Sequence, residues 1–165
     1  MPFTAWSNAL KPGQTVPDNY VFNGMGCSGK NVSPPLQWKD APKDTKSFAV
    51  TVFDPDAPRV GGWWHWAVVN IPPEVSLLPE GASNENKLPE GAIEIESDYG
   101  EKHYGGPCPP EGDNSHHYVF TVYALKNKEV HLSPNSTPGS IKGFWNTNAW
   151  RNLVLQLNIR DNLNG

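Results

Sequence analysis

The stretch from Phe48 to Ile71, FAVTVFDPDAPRVGGWWHWAVVNI, consists of two apolar runs of period two around a turn rich in Pro, Gly and Asp. Alternation within 48–54 puts Phe48, Val50, Val52 and Asp54 on one face, and Ala49, Thr51 and Phe53 on the other. Both faces are largely apolar, so this strand is predicted to be central and covered on both sides. The run 64–71 reads the same way, with His65, Ala67, Val69 and Ile71 on one face and Trp64, Trp66 and Val68 opposite. Asp-Pro-Asp-Ala-Pro between them is good turn chemistry, because Asp caps turns and Pro fixes φ. A histidine beside tryptophans is either a packed, satisfied imidazole or part of a site, and the stretch alone leaves both readings open.

Outward from this pair, the segment 116–125 is a third strand, with His116, Tyr118, Phe120 and Val122 on one side and His117, Val119, Thr121 and Tyr123 on the other. Residues 153–159 alternate as a half-exposed outer strand, and fainter strands are expected near 20–23, 35–39 and 93–98. A weak short helix is expected within 136–152, interrupted by Gly143. Leu-Pro-Glu-Gly occurs twice within 72–92, which is too little for a repeat architecture and reads as a surface loop. No linker divides the chain, so residues 1–165 are read as one domain dominated by β-structure.

Composition agrees. Seventeen prolines and 15 glycines among 165 residues, with 18% charged residues, favour many short strands joined by turns over long helices. A net charge of −4 and a pI near 5.7 argue against a nucleic-acid surface. The longest apolar runs are well short of the roughly 20 residues that span a bilayer. A cytoplasmic protein is expected from the sequence as it stands, and a periplasmic or secreted one if a signal segment was removed. Cys27 and Cys108 are the two cysteines. An even pair permits one disulfide across a loop of about 80 residues, adding about 4 kcal/mol in a chain-entropy model; two buried free thiols are the alternative in a reducing compartment.

Three segments carry nearly all the chemistry-bearing residues: 54–65 with Asp54, Asp56 and His65, the loop 100–110, GEKHYGGPCPP, and 116–118 with His116, His117 and Tyr118. Strand ends of this kind gather at one rim of a sheet if the strands are neighbours, which is where loops build sites. The adjacent glycines in the loop allow close backbone approach and an anion-binding nest of N–H groups. His116 and His117 point to opposite faces of a strand and cannot jointly hold a metal, so neither metal nor cofactor is expected. No Gly-x-Ser-x-Gly elbow is present, and Cys108 lies between prolines with no helix N-terminus to activate it. The Asn-x-Ser/Thr triplets at Asn31 and Asn135 are sugar acceptors only along a eukaryotic secretory route.

Taken together the motifs resemble the phosphatidylethanolamine-binding protein family, which includes the Raf kinase inhibitor proteins. They are Asp54-Pro55-Asp56-Ala57-Pro58, Trp64-His65-Trp66-Ala67-Val68-Val69-Asn70, Tyr104-Gly105-Gly106-Pro107-Cys108-Pro109-Pro110 and His116-His117-Tyr118-Val119-Phe120, with the earlier Gly29-Lys30-Asn31-Val32-Ser33-Pro34-Pro35-Leu36-Gln37-Trp38. The Gly-x-Gly-Cys segment 24–27, Cys108 and the short 59–63 connection look most like the bacterial Raf-kinase-inhibitor-like (YbhB/YbcL) branch. The resemblance implies a large antiparallel sheet packed on a smaller one, with an anion pocket at one end formed by Asp54, His65, His116, Tyr118 and backbone N–H near Cys108. In that pocket Asp54 is expected to take the second N–H of His65 and so orient and charge it. A Cys27–Cys108 bond would anchor the pocket loop in place of the C-terminal helix that closes the pocket in eukaryotic members. The implied function is non-enzymatic binding of a phosphate-bearing small molecule, headgroup, nucleotide or phosphorylated segment, extending to regulation of a partner. Inhibition of a kinase or protease partner is the alternative, and weak acid/base hydrolysis through His65 and Asp54 the third.

Overall fold

The computed structural model describes residues 2–11, 15–108, 116–141 and the backbone of 159–160. Eight strands are described: β1 (Thr4–Trp6), β2 (Leu36–Lys39), β3 (Ser47–Asp54), β4 (Trp63–Ile71), β5 (Leu77–Leu78), β6 (Ile93–Glu94), β7 (His117–Leu125) and β8 (Ile159–Arg160). They form a three-stranded sheet of order β1-β2-β5 and a five-stranded sheet of order β6-β4-β3-β7-β8, with every pairing antiparallel. The expectation of a β-dominated fold of two antiparallel sheets holds, and β3 is central as its two apolar faces required.

Those two faces define two cores. Phe48, Val50 and Val52 of β3 join Trp66 and Val68 of β4, Phe120 and Val122 of β7, and Leu36 and Trp38 of β2 in the layer between the sheets. Trp38 and Phe48 meet there with ring centroids 5.3 Å apart. Ala49, Ala67, Val69 and Leu125 face the other way and are covered by Ile95 and Val130. Full burial of one such Val or Phe contributes roughly 1.5–3 kcal/mol, so neither face tolerates a shift of register.

The β3–β4 pairing is nevertheless broken twice. Val52 pairs with Trp66 but Phe53 with Trp64, so His65 is an extra residue in β4; Val50 pairs with Val68 but Phe48 with Ile71, so a second extra residue lies at 69–70. Asn70 absorbs the second with φ of +59°, its Oδ1 accepting the Val130 N–H at 2.7 Å. Strict alternation had grouped His65 and Ile71 with Ala67 and Val69. The bulges overturn that grouping by turning His65 and Ile71 toward the side of Trp66 and Val68.

Other expectations need correction. The segment 20–23 is no strand: a 3₁₀ turn spans Asp18–Tyr20, and the N–H of Phe22 donates to Pro107 O at 3.0 Å, tying the chain to a loop instead of a sheet. The segment 72–92 is more than a surface loop, since it supplies β5 and buries Leu78, Ala82 and Ser83. Only Ile93–Glu94 of the expected 93–98 strand pairs regularly, and β1 had no sequence signal beyond three residues. Residues 153–158 of the expected outer strand and most of the helix expected within 136–152 lie outside the described residues; β8, which begins at Ile159, sits at the edge of the large sheet.

Candidate functional site

The end of β3, the start of β4 and the start of β7 meet at one rim of the large sheet, because antiparallel neighbours bring alternate ends together. A cavity of about 200 Å³ opens there, lined by Asp54, His65, Cys108, His116 and Tyr118. All five site residues expected from sequence therefore converge. The β4 bulge is the decisive element, for without its extra residue His65 would face the opposite side of the sheet.

The internal pairing of these residues differs from expectation. Asp54 does not hold His65. His116 Nδ1 donates to Asp54 Oδ2 at 2.6 Å, with both side chains buried. His65 instead donates from Nδ1 to the Gly105 carbonyl at 2.7 Å, while its own carbonyl accepts the Gly105 N–H at 3.0 Å. The reason is geometric: β7 pairs with β3 and presents His116 to Asp54, whereas β4 lies against the glycine loop. Asp54 also accepts the Asp56 N–H at 2.8 Å, which closes the turn behind it.

Burial sets the protonation of this group. Desolvation pulls the His65 imidazole down to about 4, with the glycine-loop carbonyls opposing that shift only in part. His65 is therefore neutral at pH 7 with its proton on Nδ1, and its Nε2 is an acceptor. Burial raises the Asp54 carboxyl above its ordinary range, although the His116 imidazole and the Asp56 N–H pull against it. His117 belongs to a separate, half-exposed pair. Its ring nitrogen and backbone N–H both reach Asp56 Oδ2 at 2.7 Å, and despite a desolvation effect in the other direction these contacts lower the Asp56 carboxyl.

The glycine loop does not form the anion nest expected of it. Gly105 N–H is used by His65, and Gly106 N–H donates to Asn31 Oδ1 at 2.7 Å. The glycines serve packing: a Cβ on Gly105 would stand 2.2 Å from the Tyr99 ring, and one on Gly106 2.0 Å from the Tyr20 carbonyl. Cys108 is joined to Cys27 with a Cα–Cα distance of 5.9 Å, which pins the loop to the segment 22–31. The free-thiol alternative is thereby set aside.

Residues not singled out from sequence complete the wall. Arg59, from the turn of the opening stretch, places its guanidinium 4.9 Å from the Trp63 ring centre and 3.7 Å from Asp98 Oδ1. It is the one Lys or Arg among the described lining residues of this cavity. Tyr99 meets His65 edge-on at 5.7 Å, and Tyr118 does so at 5.3 Å. Arg59 had a signal, as a cation in an acidic turn between two site residues. Tyr99 had none, because nothing in its neighbours specifies which loop folds over the rim.

The sequence profile of the phosphatidylethanolamine-binding proteins matches residues 6–159. The chain belongs to the phosphatidylethanolamine-binding protein family. Within it, the chain is 49% identical over 144 residues to the UPF0098 protein YbcL of Escherichia coli, covering 86% of this chain and 78% of that one. It is 45% identical to YbhB of the same organism, covering 84% and 87%. The crystal structure of E. coli YbcL, described as a new member of the mammalian PEBP family, superposes with a TM-score of 0.86 at 46% identity, over 90% of this chain and 92% of that one. A family homologue from Chlamydia trachomatis, CT736, gives 0.73 at 31% identity, over 90% and 91%. Among the described residues no helix is long and apolar enough to cross a membrane.

Proposed function

We propose that this family member is a non-enzymatic binder of phosphorylated or otherwise anionic small ligands, such as phosphoethanolamine-like headgroups, nucleotides or phosphorylated segments. The observation that carries the reading is the convergence of the Asp54–His116 pair, His65 and Arg59 on one cavity of about 200 Å³. Arg59 supplies a fork of donors suited to phosphate oxygens, and the Cys108 N–H has no described acceptor in the protein. Neutral His65 adds a polarity that sequence reasoning had reversed. Its Nε2 accepts, so it favours a ligand that brings a proton, either a phosphate monoanion or an ammonium group, or else it takes up a proton on binding.

Binding is preferred to turnover because the described lining residues include no Ser or Thr, and Cys108 is in a disulfide. A catalytic variant of this reading would rest on Asp54–His116 and not on His65. Regulation of a kinase or protease partner is an extension in which the ligand is a phosphorylated segment of that partner. The disulfide favours an oxidising compartment, so the periplasmic or secreted localisation is the one proposed.

A few charge-assisted hydrogen bonds, less desolvation and lost rigid-body freedom, place phosphoethanolamine binding at roughly millimolar to tens of micromolar. Calorimetry or phosphorus NMR on wild type, His65→Ala and His116→Ala tests the reading. Both variants are expected to bind at least about ten-fold more weakly, the loss of one such bond; equal affinity in all three proteins would refute it.

A further inference from the structure

Behind Tyr99 lies a second, larger cavity of about 540 Å³ that shares Met25 and Tyr99 with the first. It is framed by loop residues within 22–31, 83–86 and 97–105. Its volume is in the range of small-molecule sites, about 300–1,000 Å³, and its chemistry differs from that of the anion pocket. Asn23, Asn84 and Asn86 contribute amides, Ser97 a hydroxyl, Glu101 a carboxylate and His103 an imidazole, with no Lys or Arg among the described lining residues. An anion finds no fixed cation here. One exposed carboxylate is too little to define a cation site, since exposed charges interact weakly.

Two of the polar groups are held in place with capacity unused. The Ser33 N–H donates to Asn84 Oδ1 at 2.8 Å, which fixes the amide and leaves its Nδ2 without a described acceptor. Ser97 Oγ accepts the Tyr99 N–H at 3.2 Å, and its own O–H has no described acceptor, although the residue is only 4% exposed. The apolar wall is also fixed. Phe22 and Tyr99 stack with centroids 4.1 Å apart and planes 17° from parallel, and the Tyr99 hydroxyl is tied to Gly106 O at 2.7 Å.

A matching ligand is neutral, offers donors and acceptors from the same groups, and has C–H groups to pack against the stacked Phe22–Tyr99 pair. Those are the properties of a sugar ring. We propose that this cavity is a site for a neutral saccharide, separate from the anion pocket and independent of what that pocket binds. A peptide added as an extra strand needs a sheet edge, whereas the three segments lining this cavity contain no strand.

The test is an amide-resolved NMR titration of the full chain with N-acetylglucosamine, glucose, N-acetylglycinamide as a peptide probe, and inorganic phosphate. Asn23 and His103 are exposed, so Asn23→Ala and His103→Ala are expected to fold normally. Either sugar should shift signals of residues 83–86 and 97–104 with saturable, millimolar binding. That binding should fall about five-fold in each variant, one neutral hydrogen bond's worth, and be unchanged in Arg59→Ala. Unmoved signals, shifts equally large in Asn23→Ala/His103→Ala and wild type, or a stronger response to the peptide probe would each overturn the proposal. Phosphate should leave the signals of Asn84, Asn86, Glu101 and His103 unmoved, since these line only the second cavity, and competition between phosphate and sugar for those signals would also overturn it.

Discussion

At the scale of single residues, His65 is the most consequential side chain because its environment, and not its identity, sets what it offers. Its folded pKa of about 4 lies below the ordinary 6.5, so between those values the unfolded chain holds more protons. Stability from this group is therefore present in full above pH 6.5 and is lost as pH falls toward 4, by roughly 3 kcal/mol at most. The raised Asp54 carboxyl acts in the opposite sense, favouring the folded state at low pH and losing that contribution as pH rises through its folded value. Comparing urea unfolding of wild type and His65→Gln from pH 7.5 to 4 separates the two; the wild type should lose more stability on acidification. Arg59 is half exposed, so its contribution to the proposed phosphate binding is discounted for solvent. Arg59→Ala should weaken phosphoethanolamine binding about three- to ten-fold in low salt, with the difference shrinking as salt is added, as read by calorimetry at two ionic strengths.

At the scale of elements, the β3–β4 hairpin makes the site through its departures from regularity. The bulge at His65 re-aims one side chain, and the bulge at Asn70 restores the apolar set at Ile71. Asn70→Ala keeps the strand apolar but removes both the tolerance for φ of +59° and the bond to Val130. It should cost about 2 kcal/mol, seen as a lower urea midpoint at unchanged m. The turn is equally constrained at Gly62, where φ is +70° and a Cβ would stand 2.5 Å from the Phe53 ring and 2.6 Å from the Asp54 carbonyl. Gly62→Ala should therefore displace Asp54 and weaken ligand binding as well as folding. Much of this element was legible beforehand: the strands, their centrality and the turn all followed from alternation and Pro-Gly punctuation. The side to which His65 turns was not, because a bulge changes no residue type and so leaves no mark in a period-two pattern.

At the scale of the whole molecule, two sheets bury one core and the outer face of the large sheet a second, while the Cys27–Cys108 bond closes a separation of 81 residues. Constraint of the unfolded chain by a loop of this length is worth roughly 4–5 kcal/mol at most. Cys27→Ser/Cys108→Ser should lower stability toward that amount. The segment to Pro107 should keep its place, since Phe22 N–H to Pro107 and the Asn31 bonds to Tyr104 and Gly106 are independent of the disulfide. Thermal unfolding with and without reductant measures the first. Amide exchange at Gly105 and Gly106 measures the second, with loss of protection there being the result that would contradict it.

The sequence by itself determined the β class, the central strands, the family, the five residues that line the cavity at the rim of the large sheet and a cysteine pair able to bond. Each of these depends on residue types at short spacing or on motifs read in order. Only the tertiary structure decided that Asp54 holds His116, that His65 is neutral against a glycine-loop carbonyl, and that Arg59 and Tyr99 finish the wall. Those outcomes depend on strand neighbours, register shifts and burial, which are set by contacts between residues 40 to 75 positions apart. No local pattern encodes such contacts, because the same turn and strand residues satisfy several registers until two apolar faces must be buried at once.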